Sequence, residues 1–512
     1  MLGWEYPPRY AGGLGKACRG FSQALARQGA QVHFVLPTFP NRISEERLEV
    51  VGARECLIEA GWPDTETPTE VPTEVQRKAG SITHSKSPAE LLPYGRAPET
   101  PMPEHIRKIF ESRIFSTPGN FGKALRDADP EPSVSVTEAS SADDYLGTGY
   151  EDHEFNEDTE AVAASLRERI LAAPLSEAQV PPPELLGANA EIYGKNLWSE
   201  IEKFCFSVRQ LAEFHEVDVV HAHDWMTFPA AFEYQRITGV PVFLHVHATE
   251  YDRSGDVLNS DVFRIEREAF NRAAHIFAVS KYTAGIIERL YGIHRRKISV
   301  LYNAPDEATQ TLLTAPDAER EPMVIFLGRM TFQKGPDHFL KAAALVAEVI
   351  PEARFLMIGT GDLNEQMRAL AHSLGIEKRV QFTGFMNPAQ VDAILGQSKV
   401  LVMPSISEPF GLVALEAIHN GIPVILSKQS GVREVLSRAL QVDFWDHEKL
   451  ADQMIAALRL PELSKQLVEE GMAQVRALSW DDSAIKALHT YERFTTPAGN
   501  VRQKAPRGSH GN

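Results

Sequence analysis

The chain has 512 residues, 43% of them hydrophobic, and 52 Lys and Arg against 69 Asp and Glu give a formal charge of −17; the length exceeds what one core organises, and the charge argues against nucleic acid or an anionic membrane surface as a general partner. Three scattered cysteines, Cys18, Cys56 and Cys205, supply neither a disulfide framework nor a zinc cage. No apolar run reaches the roughly 18 residues of an integral membrane segment, and Met1-Leu2 leads into Gly, Trp, Glu, Tyr and two prolines rather than a signal peptide, so the expected setting is cytoplasmic.

Only Met1 and Leu2 precede the turn at residues 3–8, where a strand usually needs about five or six residues; the chain is expected to start within, or just past, its first strand. A helix with an apolar face of Phe21, Leu25 and Ala26 follows, then a strand at 32–36. From 61 to 190 the composition shifts to Pro, Thr, Ser, Glu and Asp, which cannot bury enough surface to offset chain entropy. This predicts a long, mostly disordered insertion, an acidic arm able to engage an unidentified partner. Between 196 and 216, Leu197, Ile201, Phe204, Cys205, Val208 and Leu211 recur at helical spacing. Strands are predicted at 217–221, 242–247 and 275–279, and a second series at 298–302, 323–327, 354–358, 380–383, 400–404 and 424–426. Short strands alternating with amphipathic helices at both ends of the chain read as doubly wound α/β domains. The boundaries are 1–60 with 191–300 for the first domain, 301–480 for the second, a last helix at 481–494 and a disordered tail at 495–512.

The polar residues collect where such sheets bind ligands, at the carboxyl ends of strands. Gly12-Gly13-Leu14-Gly15 opens a helix, which lets backbone N–H groups approach a phosphate or simply turns the chain; Cys18 stands where a dinucleotide fingerprint requires its third glycine. His223-Asp224-Trp225 and the run His245 to Arg253, with His247, close two neighbouring strands, suiting a carbohydrate cleft, with a metal site as the rival. Gly328-Arg329 and Lys334-Gly335 put two cations on one strand-to-helix loop, fit to neutralise a diphosphate. Glu408-Pro409-Phe410-Gly411-Leu412 runs into Glu416, and two carboxylates can serve a sugar and a ribose diol, or the acid and nucleophile of a glycosidase. Gly359-Thr360-Gly361-Asp362 ends another strand and can touch a nucleotide or only turn the chain. Asp127-Ala128-Asp129 has the D-x-D form of metal-dependent glycosyltransferases of another fold, but lies in low-complexity sequence, where chance accounts for it.

Together these residues resemble the GT-B glycosyltransferases, especially the retaining group of glycogen synthases, starch synthases and sucrose synthase relatives, over residues 1 to about 60 and about 191 to 494. The resemblance implies two Rossmann-like doubly wound domains facing a cleft, with the insertion in the first and the last helix crossing back onto it. It implies catalytic roles for Arg329, Lys334, Glu408 and His247, with the two cations on the donor diphosphate, Glu408 on the donor sugar and His247 beside the reacting sugar. Donor contacts would come from Gly12, Gly13, Gly328, Gly359, Phe410, Gly411, Leu412 and Glu416, the last at the ribose; acceptor contacts from Asp224 and Trp225. Where bacterial glycogen synthases carry Lys before the double glycine, this chain has Tyr10-Ala11 and places Lys16 after it, and Asn303-Ala304 replaces the commoner Asn-Gly. The expected function is retaining transfer of a hexosyl group, glucosyl by the resemblance, from a nucleoside diphosphate sugar to a hydroxyl of a carbohydrate acceptor, without cofactor or metal. The alternatives are a sugar-phosphate or lipid-linked acceptor, and a catalytically silent sugar-binding scaffold.

Overall fold

The computed structural model describes residues 1–7, 12–39, 42–59, 197–213, 215–255, 258–305, 320–386 and 388–495. The expected insertion, its Asp127-Ala128-Asp129 and the tail therefore lie outside the described residues.

The first half of the fold begins with helix α1 (Gly13–Arg27), which buries Leu14, Ala17, Cys18, Phe21 and Leu25 along one face. Its N-cap, Gly12, has no side chain to satisfy the first amides. The buried carboxylate of Glu5 does so from upstream, accepting the Gly15 N–H at 3.2 Å. Strands β1 (Val32–Leu36), β2 (Ile43–Glu45) and β3 (Leu48–Gly52) form one sheet in the order β1-β3-β2, with β2 antiparallel to β3. After helices α2 (Ala53–Glu59) and α3 (Leu197–Leu211) come β4 (Val220–His223), α4 (Phe228–Thr238), β5 (Val242–Val246), α5 (Glu250–Ser254), α6 (Ser260–Arg272), β6 (His275–Ala278), α7 (Lys281–Tyr291) and β7 (Ile298–Val300). Strands β4-β5-β6-β7 are parallel neighbours in that order. Leu2 bridges Val35 on one side and Ala222 on the other, so a single residue joins the two sheets. The expected strand at 217–221 lies later, at Val220–His223, because its ladder runs Val220 to Val242 through His223 to His245. That shift takes His221 and His223 into the sheet and leaves Asp224 at its end.

The second half holds β8 (Met323–Leu327), α8 (Pro336–Val349), β9 (Arg354–Ile358), α9 (Asn364–Ser373), β10 (Val380–Gly384), α10 (Pro388–Leu395), β11 (Val400–Met403), α11 (Leu412–His419), β12 (Val424–Ser427), β13 (Leu440–Val442), α12 (His447–Arg459) and α13 (Pro461–Arg476). Its parallel sheet runs β10-β9-β8-β11-β12-β13. The chain moves outward from β8 in one direction and then in the other, so the switch point, where a doubly wound sheet opens a crevice, falls between the carboxyl ends of β8 and β11. Helix α14 (Trp480–Thr495) then packs Trp480, Ala484, Ala487 and Tyr491 into the core of the first sheet with Phe21, Phe34, Phe243 and Phe277. Gly20 is what allows the approach, since a Cβ there would stand 2.4 Å from Trp480 Nε1. Truncating a fully buried aromatic such as Phe21 to Ala costs about 3–5 kcal/mol. Among the described residues no helix is long and apolar enough to cross a membrane.

Candidate active site

At the β8/β11 switch point the second domain gathers its polar groups. The Gly328 N–H is held by Ile358 O at 3.0 Å, and Gly359 has φ +127°, with a Cβ there placed 2.0 Å from Gly328 O. Only glycine fits, so the ends of β8 and β9 close on each other and fix the loop that carries Arg329. A 3-10 turn (Phe332–Lys334) brings Lys334 Nζ to 2.6 Å from Glu408 Oε2, and Ser405 Oγ donates to the same oxygen at 3.1 Å. Glu408 is 5% exposed, and its backbone is pinned by Gln429 O at 2.9 Å and the Gly431 N–H at 2.8 Å. A buried carboxylate with a lysine and a hydroxyl upon it is a satisfied one. Gly411, at φ +109°, then starts α11, whose first amides face the same crevice end, and Glu416 lies on that helix one turn further on. The Phe410 ring is 3% exposed, belongs to the core and packs 6.3 Å from Tyr302. An apolar side chain at that position gains more from burial than from facing a polar ligand.

The first domain contributes a stack of imidazoles. His223 Nδ1 lies 2.9 Å from His247 Nε2, His221 Nε2 3.2 Å from His245 Nδ1, and His221 Nδ1 2.5 Å from the Tyr491 hydroxyl. Burial drives His247 down to about 3 and holds His221, His223 and His245 well below the ordinary histidine range. All four rings are neutral at pH 7. Ligand-type atoms of Cys18, His223 and His247, and of His221, His223 and His245, come within 4.8 Å of one another, but the imidazoles use their facing nitrogens in bonds to each other. Burial also pushes the Cys18 thiol well up.

Asp224 and Trp225, the expected acceptor contacts, are both buried. Asp224 is 1% exposed and takes φ +59°, an unfavourable backbone for a residue with a Cβ. Its Oδ1 accepts the N–H groups of His247 at 2.7 Å and Ala248 at 3.3 Å, Oδ2 is buried without a partner, and burial raises its pKa to about 6. Asp224 thus shapes the turn that presents His247. Trp225 is 6% exposed and packs 5.5 Å from Trp198.

Contacts between the two halves complete the site, and sequence reasoning passes over most of them. Lys16 Nζ of α1 is 2.5 Å from Glu416 Oε1. Ser407 Oγ donates to Asp252 Oδ1 at 2.6 Å and lies 2.9 Å from the Tyr282 hydroxyl. Glu434 accepts the backbone N–H groups of Lys281 at 2.8 Å and Tyr282 at 2.7 Å, and the Tyr302 hydroxyl at 2.9 Å. A carboxylate of one domain thus caps helix α7 of the other.

Residues 314–474, which carry Arg329, Lys334, Glu408 and Glu416, match the family described as Glycosyl transferases group 1; residues 182–308, with Asp224 and His247, match Glycosyltransferase Family 4; residues 1–87, with Gly12 and Gly13, match the Starch synthase catalytic domain. The chain is a GT-B glycosyltransferase. This glycosyltransferase is 26% identical over 294 residues to an uncharacterised glycosyltransferase of Methanocaldococcus jannaschii, which spans 54% of this chain and 75% of that one. It is 27% identical over 339 residues to the D-inositol 3-phosphate glycosyltransferase of Segniliparus rotundus, spanning 61% and 75%. Against the glycogen synthase of Mycobacterium tuberculosis it is 29% identical over 228 residues, spanning 43% of this chain and only 54% of that enzyme. The fold is shared with the sucrose-phosphate synthase of Thermosynechococcus elongatus at a TM-score of 0.51 and 19% identity, over 66% of this chain and 93% of that one. The glycosyltransferase fold therefore places Arg329 and Lys334 on the loop after β8, and Glu408 and Glu416 on either side of the α11 N-terminus.

Proposed function

We propose that the enzyme transfers a hexosyl group, glucosyl in the first instance, from a nucleoside diphosphate sugar to an acceptor hydroxyl with retention of anomeric configuration. The observation that carries this reading is the Lys334–Glu408 pair at 2.6 Å at the β8/β11 crevice, one loop from Arg329. A diphosphate entering there meets Arg329, Lys334 and the first amides of α11, which stabilise the charge that grows as it departs. Glu408 and the sugar hydroxyls, and Glu416 and the ribose diol, make the remaining polar pairs. His247, neutral, offers a ring N–H to the sugar.

In the transfer itself the C1–O bond to the diphosphate breaks and a C1–O bond to the acceptor forms on the same face. The acceptor proton passes to a departing phosphate oxygen, so no enzyme nucleophile is required. Two side-chain cations and a helix end cover the charge, so the reading calls for no metal. Facing domains exclude water and so limit donor hydrolysis.

A second reading concerns the acceptor. The inositol-phosphate glycosyltransferase and the sucrose-phosphate synthase are spanned over 75% and 93% of their lengths, against 54% for the glycogen synthase, which favours a small phosphorylated acceptor over a glucan. Release of UDP, ADP or GDP from the matching glucose donors, with glucan primer, hexose phosphates or inositol phosphates as acceptors, tests both readings. NMR of the product gives the anomeric outcome. Failure of every donor to yield free nucleotide would sink the assignment.

A further inference from the structure

Helix α1 has no acidic residue in its first turn, and Lys16 stands close to its positive end. A cation there opposes the helix dipole and needs an anion nearby. The anion it finds is Glu416, four hundred positions on in the other domain, with the two side chains 28% and 19% exposed. The pair lines a small open crevice together with Arg19, Leu412 and the interdomain residues Ala304 and Pro305. It is therefore reachable by a ligand and is not sealed in a core.

We propose that Lys16 is a gate on the donor site: in the donor-free enzyme its ammonium occupies Glu416 and ties the two domains, and a nucleotide must displace it to seat its ribose. This rests on the reading of Glu416 as the ribose partner. A vicinal diol is held by both oxygens of a carboxylate, and Lys16 Nζ, 2.5 Å from Oε1, fills the place of one hydroxyl. Displacement is feasible because a part-exposed ion pair is weak and screened by salt. The domain tie and the ribose contact thus exclude each other, so donor entry and release of this tie are one event.

The test uses uridine, adenosine and guanosine, which carry the ribose without the phosphates. Lys16→Gln and Lys16→Ala are expected to bind whichever nucleoside the wild type prefers about 3- to 10-fold more tightly by calorimetry. Wild-type affinity should rise between 50 and 500 mM NaCl on the order of a few-fold, while the variants stay flat. Lys16→Arg, which keeps the charge, should behave as wild type. Glu416→Gln should weaken nucleoside binding in every background. If Glu416→Gln weakens binding but both Lys16 variants bind no more tightly than wild type, the gate is wrong and the ribose assignment stands. If Glu416→Gln changes nothing, the ribose assignment falls and takes the gate with it.

Discussion

His223 and His247 are bonded ring to ring, Nδ1 of the first 2.9 Å from Nε2 of the second, and the other nitrogen of His223 is buried without a partner. A stranded N–H is rarer in protein interiors than an under-satisfied acceptor, so the bond assigns the His223 proton to Nδ1. His247 then accepts at Nε2 and carries its own proton on Nδ1. His223 is a positioning residue for His247. His223→Phe should lower kcat about 10-fold at nearly constant donor KM, and His223→Asn, whose amide N–H stands near the lost Nδ1–H, should recover most of it. The 15N shifts of His247 report the tautomer directly; unchanged shifts in His223→Phe would show the bond to be idle.

Arg329→Ala and Lys334→Ala should each lower turnover by about 100-fold or more, because a phosphate clamp acts mainly as charge develops. The two variants differ in stability. Removing Lys334 leaves the buried Glu408 carboxylate, whose side chain is 6% exposed, without its counter-charge, so Lys334→Ala should also melt lower. Initial rates and thermal melts of both variants check this, and wild-type turnover in both would remove the clamp.

The second sheet is legible in the sequence because strands buried on both faces read as unbroken apolar runs. Met323–Leu327 and Arg354–Ile358 lie where the pattern places them. Ile43–Glu45 escapes it, being three residues of which two are exposed, and its strand character comes only from pairing with Leu48–Val50. The register at Val220–His223 is likewise decided by partners, Leu2 and β5, rather than by its own residues. In the site, residue type marks Arg329, Lys334, Glu408 and Glu416 as chemistry. Nothing local marks Glu434 or Ser407, whose partners are Tyr282 and Asp252, 152 and 155 positions away. Such pairs exist only once two domains face each other. The bonds from the His247 and Ala248 amides to Asp224 are likewise set by the sheet register, which no local pattern shows.

Glu434 ties the domains through the α7 amides, and charge-assisted bonds of this kind are worth about 1.5–3 kcal/mol each. Glu434→Ala should therefore favour an open form. We expect kcat/KM to fall about 10-fold and the radius of gyration in solution scattering to rise, with Glu434→Gln intermediate because an amide oxygen still accepts. Scattering and kinetics that match wild type would mean the tie is dispensable.

Helix α2 packs on helix α3, so the chain leaves at residue 59 and re-enters at residue 197 from neighbouring elements. Joining such ends adds little closure entropy. Excising residues 63–187 and rejoining by a short Gly-Ser linker should leave a folded enzyme that still binds its donor. Circular dichroism and nucleotide binding decide it, and global unfolding of the shortened chain would refute it.

The imidazole stack makes stability depend on pH in a direction that can be worked out. Burial holds His221, His223 and His245 well below, and His247 at about 3 against, the ordinary value of 6.5, so the unfolded chain binds protons that the folded one refuses. Their contribution is fully present above pH 6.5 and is lost as pH falls, by about 1.4 kcal/mol per pH unit for each ring. Three buried acids act in the opposite sense. Asp224 and Glu266 are raised by burial to about 6 and about 7, and burial raises Asp252 too, so the folded state holds protons that the unfolded one has shed, and stability from them grows as pH falls towards the ordinary carboxylate range. His275 and His338, lowered by burial to about 4, join the four stacked rings, and six rings outweigh three carboxyls between pH 6 and 5. The melting temperature should therefore drop steeply across that interval, and His245→Leu, which removes one titrating ring from the core, should flatten the slope by about 1.4 kcal/mol per unit even if it lowers stability at pH 7. Urea unfolding at half-unit steps from pH 7 to 5 measures the slope for both proteins. A flat profile in the wild type would mean that the rings find protons in the folded state and are not the sealed neutral stack described above.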